Sequence, residues 1–216
     1  MTRRTPYTVG APFYDVLSGE PVYRAGRVAG IRLLGLDVGD VVLDLGCGTG
    51  LNFPLLQAAV GPTGRVIGLD RSEQMLRVAR RRIERHGWRN VFTVRADATA
   101  FTLEDLPTDR VDAVLATYSL SVISNPAAAW RRITEVVRHG ERRCGIDRPG
   151  GRVCIVDMQP PTGRARVLAP IARLACALGD SDIDARPWEL LRHDALRTRS
   201  HSLRGGHIQV VAGVMP

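Results

Sequence analysis

Residues 41–53 read VVLDLGCGTGLNF: an apolar run interrupted by Asp44, then glycines at alternate positions, Gly46, Gly48 and Gly50. Val41–Leu45 has the composition of a buried strand, and Leu51–Ala59 that of the helix after it. A glycine turn between a strand and a helix is where a chain brings its backbone close to a nucleotide-like ligand, because glycine has no Cβ to hold the ligand off. The spacing narrows the ligand. In the dinucleotide pattern G-x-G-x-x-G the first two positions fall on Gly46 and Gly48, but the third falls on Leu51, and Gly50 comes one residue early. The actual pattern is D-x-G-x-G-x-G. A carboxylate at Asp44 repels a pyrophosphate and suits a ligand that carries an ammonium and a sulfonium.

On either side of this stretch, short apolar runs alternate with amphipathic ones. Residues 12–34 have helical spacing, with Tyr14, Leu17, Val28, Ile31 and Leu34 inward. Gly61–Gly64 is a turn and Arg65–Leu69 a second strand. Ser72 caps a helix that runs to His86, with Met75, Leu76, Ala79 and Ile83 as its apolar stripe and Gly87 as its stop. Val91–Arg95, Val111–Ala116 and Gly151–Asp157 are further strands, and Ala127–Arg138 is a helix before the last of them. Leu196–Leu203 and His207–Ala212 form a hairpin across Gly205-Gly206. The order predicts an α/β, Rossmann-like three-layer sandwich: a seven-stranded, mostly parallel sheet closed by an antiparallel hairpin. One domain covers residues 1–216, with an N-terminal helical cap over about 1–37 and a substrate-side lid over about 158–192.

Composition removes several functional classes. The chain has 216 residues, of which 44% are hydrophobic, ordinary for one globular domain. No apolar run approaches the ~20 residues that cross a bilayer. MTRRTPYTVGAPFY has charge but no apolar core, so it does not read as a signal peptide, and a cytoplasmic location is expected. Cys47, Cys144, Cys154 and Cys176 lack C-x-x-C pairing, which argues against a disulfide framework or a zinc site. All 30 basic residues are arginine. A P-loop requires a lysine at the phosphates and pyridoxal phosphate enzymes a Schiff-base lysine, so both classes are excluded. The net charge of +8 permits an anionic partner. Much of it lies in RVARRRIERHGWR (77–89) and RHGERRCGIDR (138–148), which lack the interleaved aromatics of a nucleic-acid stacking platform.

Two further acids stand where an adenosine would meet them. Asp70 ends the second strand, where a carboxylate can accept both ribose hydroxyl protons. Asp97, in RADAT, follows the third strand; it can accept from an adenine amino group while the Ala98 amide donates to a ring nitrogen. VVLDLGCGTG, VIGLDRSEQML, VRADAT, DAVLATYSLSVI and GGRVCIVDM together resemble the successive motifs of class I S-adenosylmethionine-dependent methyltransferases, over roughly residues 38–157. The resemblance implies that Asp44, Gly46, Cys47, Gly48 and Gly50 hold the methionine end, Asp70 and Arg71 the ribose side, and Met75, Asp97 and Ala98 the adenine, with Thr117 facing the cleft. YDVLSGEPVYRAGR (14–27) resembles the N-terminal segment of small-molecule and lipid members, the ubiquinone/menaquinone and phosphatidylethanolamine methyltransferase-like groups. By that analogy Tyr14 closes over the cofactor and Arg27 meets the methionine carboxylate.

Methyl transfer from a sulfonium is an in-line displacement with a neutral leaving group, so it needs alignment and desolvation more than a catalytic motif. The resemblance puts the transferred methyl near Thr117-Tyr118-Ser119. That segment lacks the N/D-P-P-Y/F signature of amino-methylating enzymes, and no Pro-Cys nucleophile occurs. Tyr118, His193 and His207 are the candidate bases. Of the acids a metal-dependent catechol site would use, only Asp157 stands in place, so no metal is expected. PPTGRARVLAPIARLACALGDSDIDARPWELL (160–191) reads as a lid, a core helix or a membrane-surface element, with Pro170 kinking or starting a helix. HGERRCGID, after VVR (136–138), reads as an extra exposed loop carrying Cys144. The leading expectation is methyl transfer to a small-molecule or lipid-like acceptor; the alternatives are an RNA or other nucleic-acid methyltransferase and a non-catalytic cofactor-binding partner protein.

Overall fold

The computed structural model describes residues 20–143 and 150–216. In chain order the elements are α1 (Glu20–Leu34), β1 (Val41–Leu45), α2 (Phe53–Val60), β2 (Arg65–Asp70), α3 (Glu73–His86), β3 (Val91–Arg95), β4 (Ala113–Thr117), α4 (Pro126–Arg143), β5 (Arg152–Met158), α5 (Ala169–Leu178), α6 (Trp188–Asp194), β6 (Arg197–Leu203) and β7 (Ile208–Val214). The seven strands form one sheet in the order β3-β2-β1-β4-β5-β7-β6. Strands β1 to β5 are parallel, and β7 runs antiparallel to both β5 and β6. The order reverses beside β1, so the C-terminal ends of β1 and β4 open a crevice between them, where ligands of open α/β sheets bind.

Strand alternation divides the core in two. Leu43, Leu45, Ile67, Leu69, Val114 and Ile155 face one way and bury Trp130, Ile133 and Val137 of α4 with Trp188 and Leu191 of α6. Val42, Val66, Leu115, Cys154 and Val156 face the other way, against Ile31 and Leu34 of α1, Phe53 and Leu56 of α2, and Leu76 of α3. Asp44 shares the second face with Val42 by the period of two. Helix α1 lies close on this face because Gly26 and Gly30 have no side chains. A Cβ at Gly26 would stand 2.0 Å from the Tyr118 hydroxyl, and one at Gly30 2.5 Å from Val156.

Several boundaries differ from those the sequence suggests. Helix α2 starts at Phe53 rather than Leu51, with Pro54 in its first turn, so Leu51 and Asn52 complete the glycine turn. Strand β4 starts at Ala113 rather than Val111, because the preceding Asp112 turns its carboxylate onto the Val41 amide at 2.8 Å. The larger correction concerns the extra loop. Helix α4 continues to Arg143, so the first residues of HGERRCGID are helical; Cys144 lies outside the described residues. So do Tyr14 and the start of the N-terminal helix, whose described part is Glu20–Leu34. Strand β7 runs on to Val214. Among the described residues no helix is long and apolar enough to cross a membrane.

Candidate cofactor and acceptor site

The glycine turn leaves β1 through Gly46, Gly48 and Gly50, with φ of 71°, 54° and 77°. These values favour glycine, but the three positions do different work. A Cβ at Gly46 would come within 2.5 Å of Ser119, and one at Gly50 within 2.6 Å of the Phe53 ring; at Gly48 it would meet nothing within 4 Å. Packing therefore demands Gly46 and Gly50, and only Gly48 opens onto free space. The turn is tied to β2 through the Gly46 and Cys47 amides, which donate to the Leu69 carbonyl at 2.8 and 3.0 Å. Cys47 itself is buried, and its Sγ would stand 2.8 Å from a Cβ on Gly68. Only its backbone is left to face a ligand.

The Asp70 carboxylate binds the turn from the next strand. One oxygen accepts from the Gly48 amide at 2.9 Å and the other from the Ser72 amide at 2.8 Å. A carboxylate has about four acceptor positions, so each oxygen retains one for a ligand hydroxyl. Burial pushes the Asp70 carboxyl above its ordinary range.

Asp44 and Asn52 form the buried floor. Asn52 follows the turn, and its Nδ2 donates to Asp44 Oδ1 and to Thr117 Oγ1, both at 2.9 Å. Among the described residues the buried atoms Asp44 Oδ2 and Asn52 Oδ1 have no hydrogen-bond partner. Burial pushes the Asp44 carboxyl up to about 7, against the Asn52 hydrogen bond and the Arg27 charge, which lower it. Helix α1 thus brings the buried Arg27 within electrostatic reach of Asp44. Two orphaned acceptors at one buried spot ask for a cationic, multiply donating group. The pair of acceptors therefore fits an ammonium ligand.

At the sheet's next strand end the geometry is looser. Asp97 is exposed and accepts from the Thr99 amide at 2.8 Å and the Thr99 hydroxyl at 2.7 Å through Oδ1. These bonds, with the Arg71 charge, hold its carboxyl below the usual range. Met75 is buried in the first turn of α3, and Ala98 packs against the core.

The three candidate bases are placed differently. Tyr118 follows β4 with φ 55°, a conformation that costs a non-glycine residue about 1–3 kcal/mol. Its hydroxyl donates to the Tyr23 carbonyl of α1 at 2.9 Å, and burial pushes its pKa upward. His207 is buried in the hairpin turn, its Nδ1 at 2.7 Å from the Gln159 carbonyl. The His193 side chain is 88% exposed on α6, with Nδ1 2.6 Å from Asp194 Oδ1.

Asp157 serves the scaffold in a way its position in the sequence does not reveal. It is buried, and its oxygens accept from the Ser121 amide at 3.1 Å, the Ser121 hydroxyl at 2.7 Å and the Met158 amide at 2.9 Å. Ser121 in turn meets the Ser181 hydroxyl at 2.8 Å, and its carbonyl accepts from Asp182 at 2.9 Å. The segment expected as a lid is thereby fastened to the end of β5. A cavity of about 250 Å3 lies at the lid's other root, lined by residues including Gln159, Thr162, Arg166 and Arg186. Among the described residues no group of three His, Cys, Asp or Glu side chains is arranged to hold a metal.

Sequence reasoning missed Asn52, and it singled out Ser119 only as part of the segment Thr117-Tyr118-Ser119. The signal for Asn52 was its place at the end of D-x-G-x-G-x-G, but no spacing rule shows that its amide reaches back to Asp44. Ser119, whose hydroxyl donates to the Leu45 carbonyl at 2.8 Å, locks the end of β4 to that of β1.

Residues 42–140 match the family model of a methyltransferase domain. The chain is 32% identical over 151 residues to the ubiquinone/menaquinone biosynthesis C-methyltransferase UbiE of Pseudomonas putida, covering 69% of this chain and 54% of the relative. It thus spans about half the length of the curated relatives it matches. A SAM-dependent methyltransferase from Aquifex aeolicus shares the fold with a TM-score of 0.64 at 20% identity, over 88% of this chain and 89% of its own. Phosphoethanolamine N-methyltransferase 2 of Haemonchus contortus, solved with phosphomonomethylethanolamine and S-adenosylhomocysteine, gives a TM-score of 0.72 at 16% identity, over 99% of this chain and 58% of its own.

Proposed function

We propose that this protein transfers a methyl group from S-adenosylmethionine to a small-molecule or lipid-like acceptor: residues 42–140 match the methyltransferase domain model, and the fold is shared with a SAM-dependent methyltransferase. The observation that carries the reading is the buried pair of orphaned acceptors, Asp44 Oδ2 and Asn52 Oδ1, beside a glycine turn tied to Asp70. An amino-acid ammonium satisfies both acceptors, and the Asp44 charge matches it. The backbone at Gly46, Cys47 and Gly48 lies along the ligand. Asp70 accepts the ribose hydroxyls, with Arg71 at the rim, while Met75, Asp97 and Ala98 receive the adenine. Thr117 holds Asn52 in register.

When bound, the cofactor supplies a methyl already activated by its sulfonium. This chain contributes alignment and exclusion of water. Tyr118 and Ser119 shape the crevice between the ends of β4 and β1, and the lid walls the acceptor side. The Tyr118 hydroxyl keeps its proton on the Tyr23 carbonyl, so its part is to hold α1 over the crevice rather than to remove a proton. The relatives named for ubiquinone/menaquinone biosynthesis and for phosphoethanolamine support a small-molecule acceptor.

Calorimetric titration of the purified protein with S-adenosylhomocysteine, with NADH as control, tests the reading. Micromolar binding that Asp70→Ala removes, and no NADH binding, supports it. Methyl transfer in a screen of quinones, phenols and amino-alcohol lipids then identifies the acceptor. Cofactor binding with no acceptor across that screen favours a non-catalytic partner protein instead, and NADH binding overturns the reading.

A further inference from the structure

The lid is built inside out. Among the described side chains of Gly163–Leu168 and α5, those turned inward are small. Cys176 is buried and Ala172 packs beside it against Met158 and Ile183. The large apolar residues face solvent: Val167 is 81% exposed, Leu168 53%, Ile171 67% and Leu174 62%. Ile171 and Leu174, three apart, share one face of α5, and Val167 and Leu168 end the tighter turn that leads into it. Of the six large hydrophobic side chains exposed among the described residues, these are four. A core helix has the opposite arrangement, and single exposed apolar residues are scattered rather than gathered in one segment.

The charges carried by the stripe's own segment have one sign, and the nearest acids follow it at Asp180, Asp182 and Asp184. Residues 160–179 contain three arginines, Arg164, Arg166 and Arg173, and no acidic residue. Arg164 and Arg166 are exposed immediately before the stripe. Arg173 pairs with Asp184, so the local surplus comes from the first two, within a chain of net charge +8. The platform is also firmly based. The Thr162 amide donates to the Gly205 carbonyl at 2.8 Å, and the Asp157–Ser121–Ser181 chain holds the other end.

We propose that this face of the lid docks the protein onto an anionic phospholipid bilayer. Val167, Leu168, Ile171 and Leu174 enter the interfacial region, and Arg164 and Arg166 meet lipid phosphates. An apolar stripe with the exposed Arg164 and Arg166 at its N-terminal end is complementary to such a surface in hydrophobicity and, at that end, in charge. The lid follows β5, so docking brings the membrane to the acceptor side of the proposed site. This inference is independent of methyl transfer and is read by binding alone.

The test is co-sedimentation of the full chain with phosphatidylcholine vesicles, with and without phosphatidylglycerol. The expected result is binding to the anionic vesicles only, weakened by salt. It should fall about tenfold or more in the double variant Ile171→Ser/Leu174→Ser and several-fold in Arg164→Gln/Arg166→Gln. Leu196→Ser, which removes an exposed leucine elsewhere (68% exposed), should bind like the parent. Matched thermal unfolding and unchanged S-adenosylhomocysteine titration separate loss of docking from loss of fold or of the cofactor site. Absence of binding to anionic vesicles overturns the proposal, as does binding that ignores the lid variants. A parent dimer that becomes monomeric in the Ile171→Ser/Leu174→Ser variant assigns the face to a second copy of the chain and also overturns it. Binding that appears only after residues 1–19 are removed assigns the face to that segment, with the same consequence.

Discussion

The side-chain amide of Asn52 holds the carboxylate of Asp44, donating one hydrogen bond to it at 2.9 Å while reaching Thr117 on the adjoining strand at the same distance. One buried group thus fixes the acid at the root of the glycine turn and joins β1 to β4 where the crevice opens. Its removal has two consequences. Asn52→Ala leaves the Asp44 carboxylate buried without its donor, at a cost of about 1–3 kcal/mol, and weakens S-adenosylhomocysteine binding about tenfold or more, because the orienting contact is lost. Thermal unfolding and calorimetric titration of the variant check both. A melting temperature equal to the parent's would show that the amide carries no structural load.

Asp44 gives the cofactor site a pH dependence. Burial raises its carboxyl from 3.8 to about 7. An ammonium ligand prefers the ionised form, so below about 7 binding must release a proton, and affinity falls about tenfold for each unit of pH. The same shift acts on stability with a defined sign. The folded state keeps a proton that the unfolded chain gives up, so this contribution is complete below 3.8 and is lost as pH rises through about 7. Asp44→Asn removes the titration. It should flatten the pH profile of binding, weaken binding at neutral pH, and raise the unfolding temperature more at pH about 8 than at pH about 5. An unchanged pH profile in Asp44→Asn would assign the dependence to another group.

Asp70 is both a tie for the turn and a proposed ribose acceptor, and two variants separate these roles. Asp70→Asn keeps one acceptor oxygen but places an amide NH2 against the Gly48 or Ser72 amide, each now bonded at 2.8–2.9 Å. Asp70→Ala removes both acceptors and relieves the buried charge. The expected outcome is cofactor affinity reduced about tenfold or more in each, with the larger loss of stability in Asp70→Asn. Isothermal titration and thermal melts read the two effects separately. Cofactor affinity retained in Asp70→Ala would remove the ribose assignment.

The sheet was legible because its signals are local: five runs of strand length, four of them bounded by glycine or an acid, separated by amphipathic stretches. The acids at the ends of β1, β2 and β3 were legible for the same reason, since strand ends in a parallel sheet gather at one edge. What the sequence hid was long-range. The bond from Asn52 to Thr117 spans 65 residues and that from Tyr118 to Tyr23 spans 95, and no periodicity encodes such pairs. The lid misled for a different reason. VLAPIARLACAL has an apolar composition, but only the fold shows that Ala172 and Cys176 face in while Leu168, Ile171 and Leu174 face out. The glycine turn was half legible: its ligand-facing purpose belongs to Gly48, whereas Gly46 and Gly50 answer to Ser119 and Phe53.

Tyr118 provides the sharpest test of whether a residue beside the crevice works on the reaction or on the scaffold. Its ring lies 4.9 Å from that of Tyr23, and its hydroxyl occupies the space that Gly26 leaves open, 2.0 Å from where a Cβ would stand. Gly26→Ala must therefore displace the hydroxyl or lift α1, an overpacking that costs about 1–3 kcal/mol. Tyr118→Phe leaves the packing but removes the donor from the Tyr23 carbonyl, a loss of about 1 kcal/mol. If the hydroxyl only holds α1, Tyr118→Phe lowers the melting temperature by a few degrees and changes the methyl-transfer rate by less than about tenfold, while Gly26→Ala impairs both stability and cofactor binding. If the hydroxyl acts on the acceptor, Tyr118→Phe slows transfer by about a hundredfold or more at unchanged cofactor affinity, and the pH dependence of the rate changes with it. The bond to the Tyr23 carbonyl, which commits the hydroxyl proton to α1, argues for the first outcome. A single-turnover rate measured beside the thermal melt decides between them.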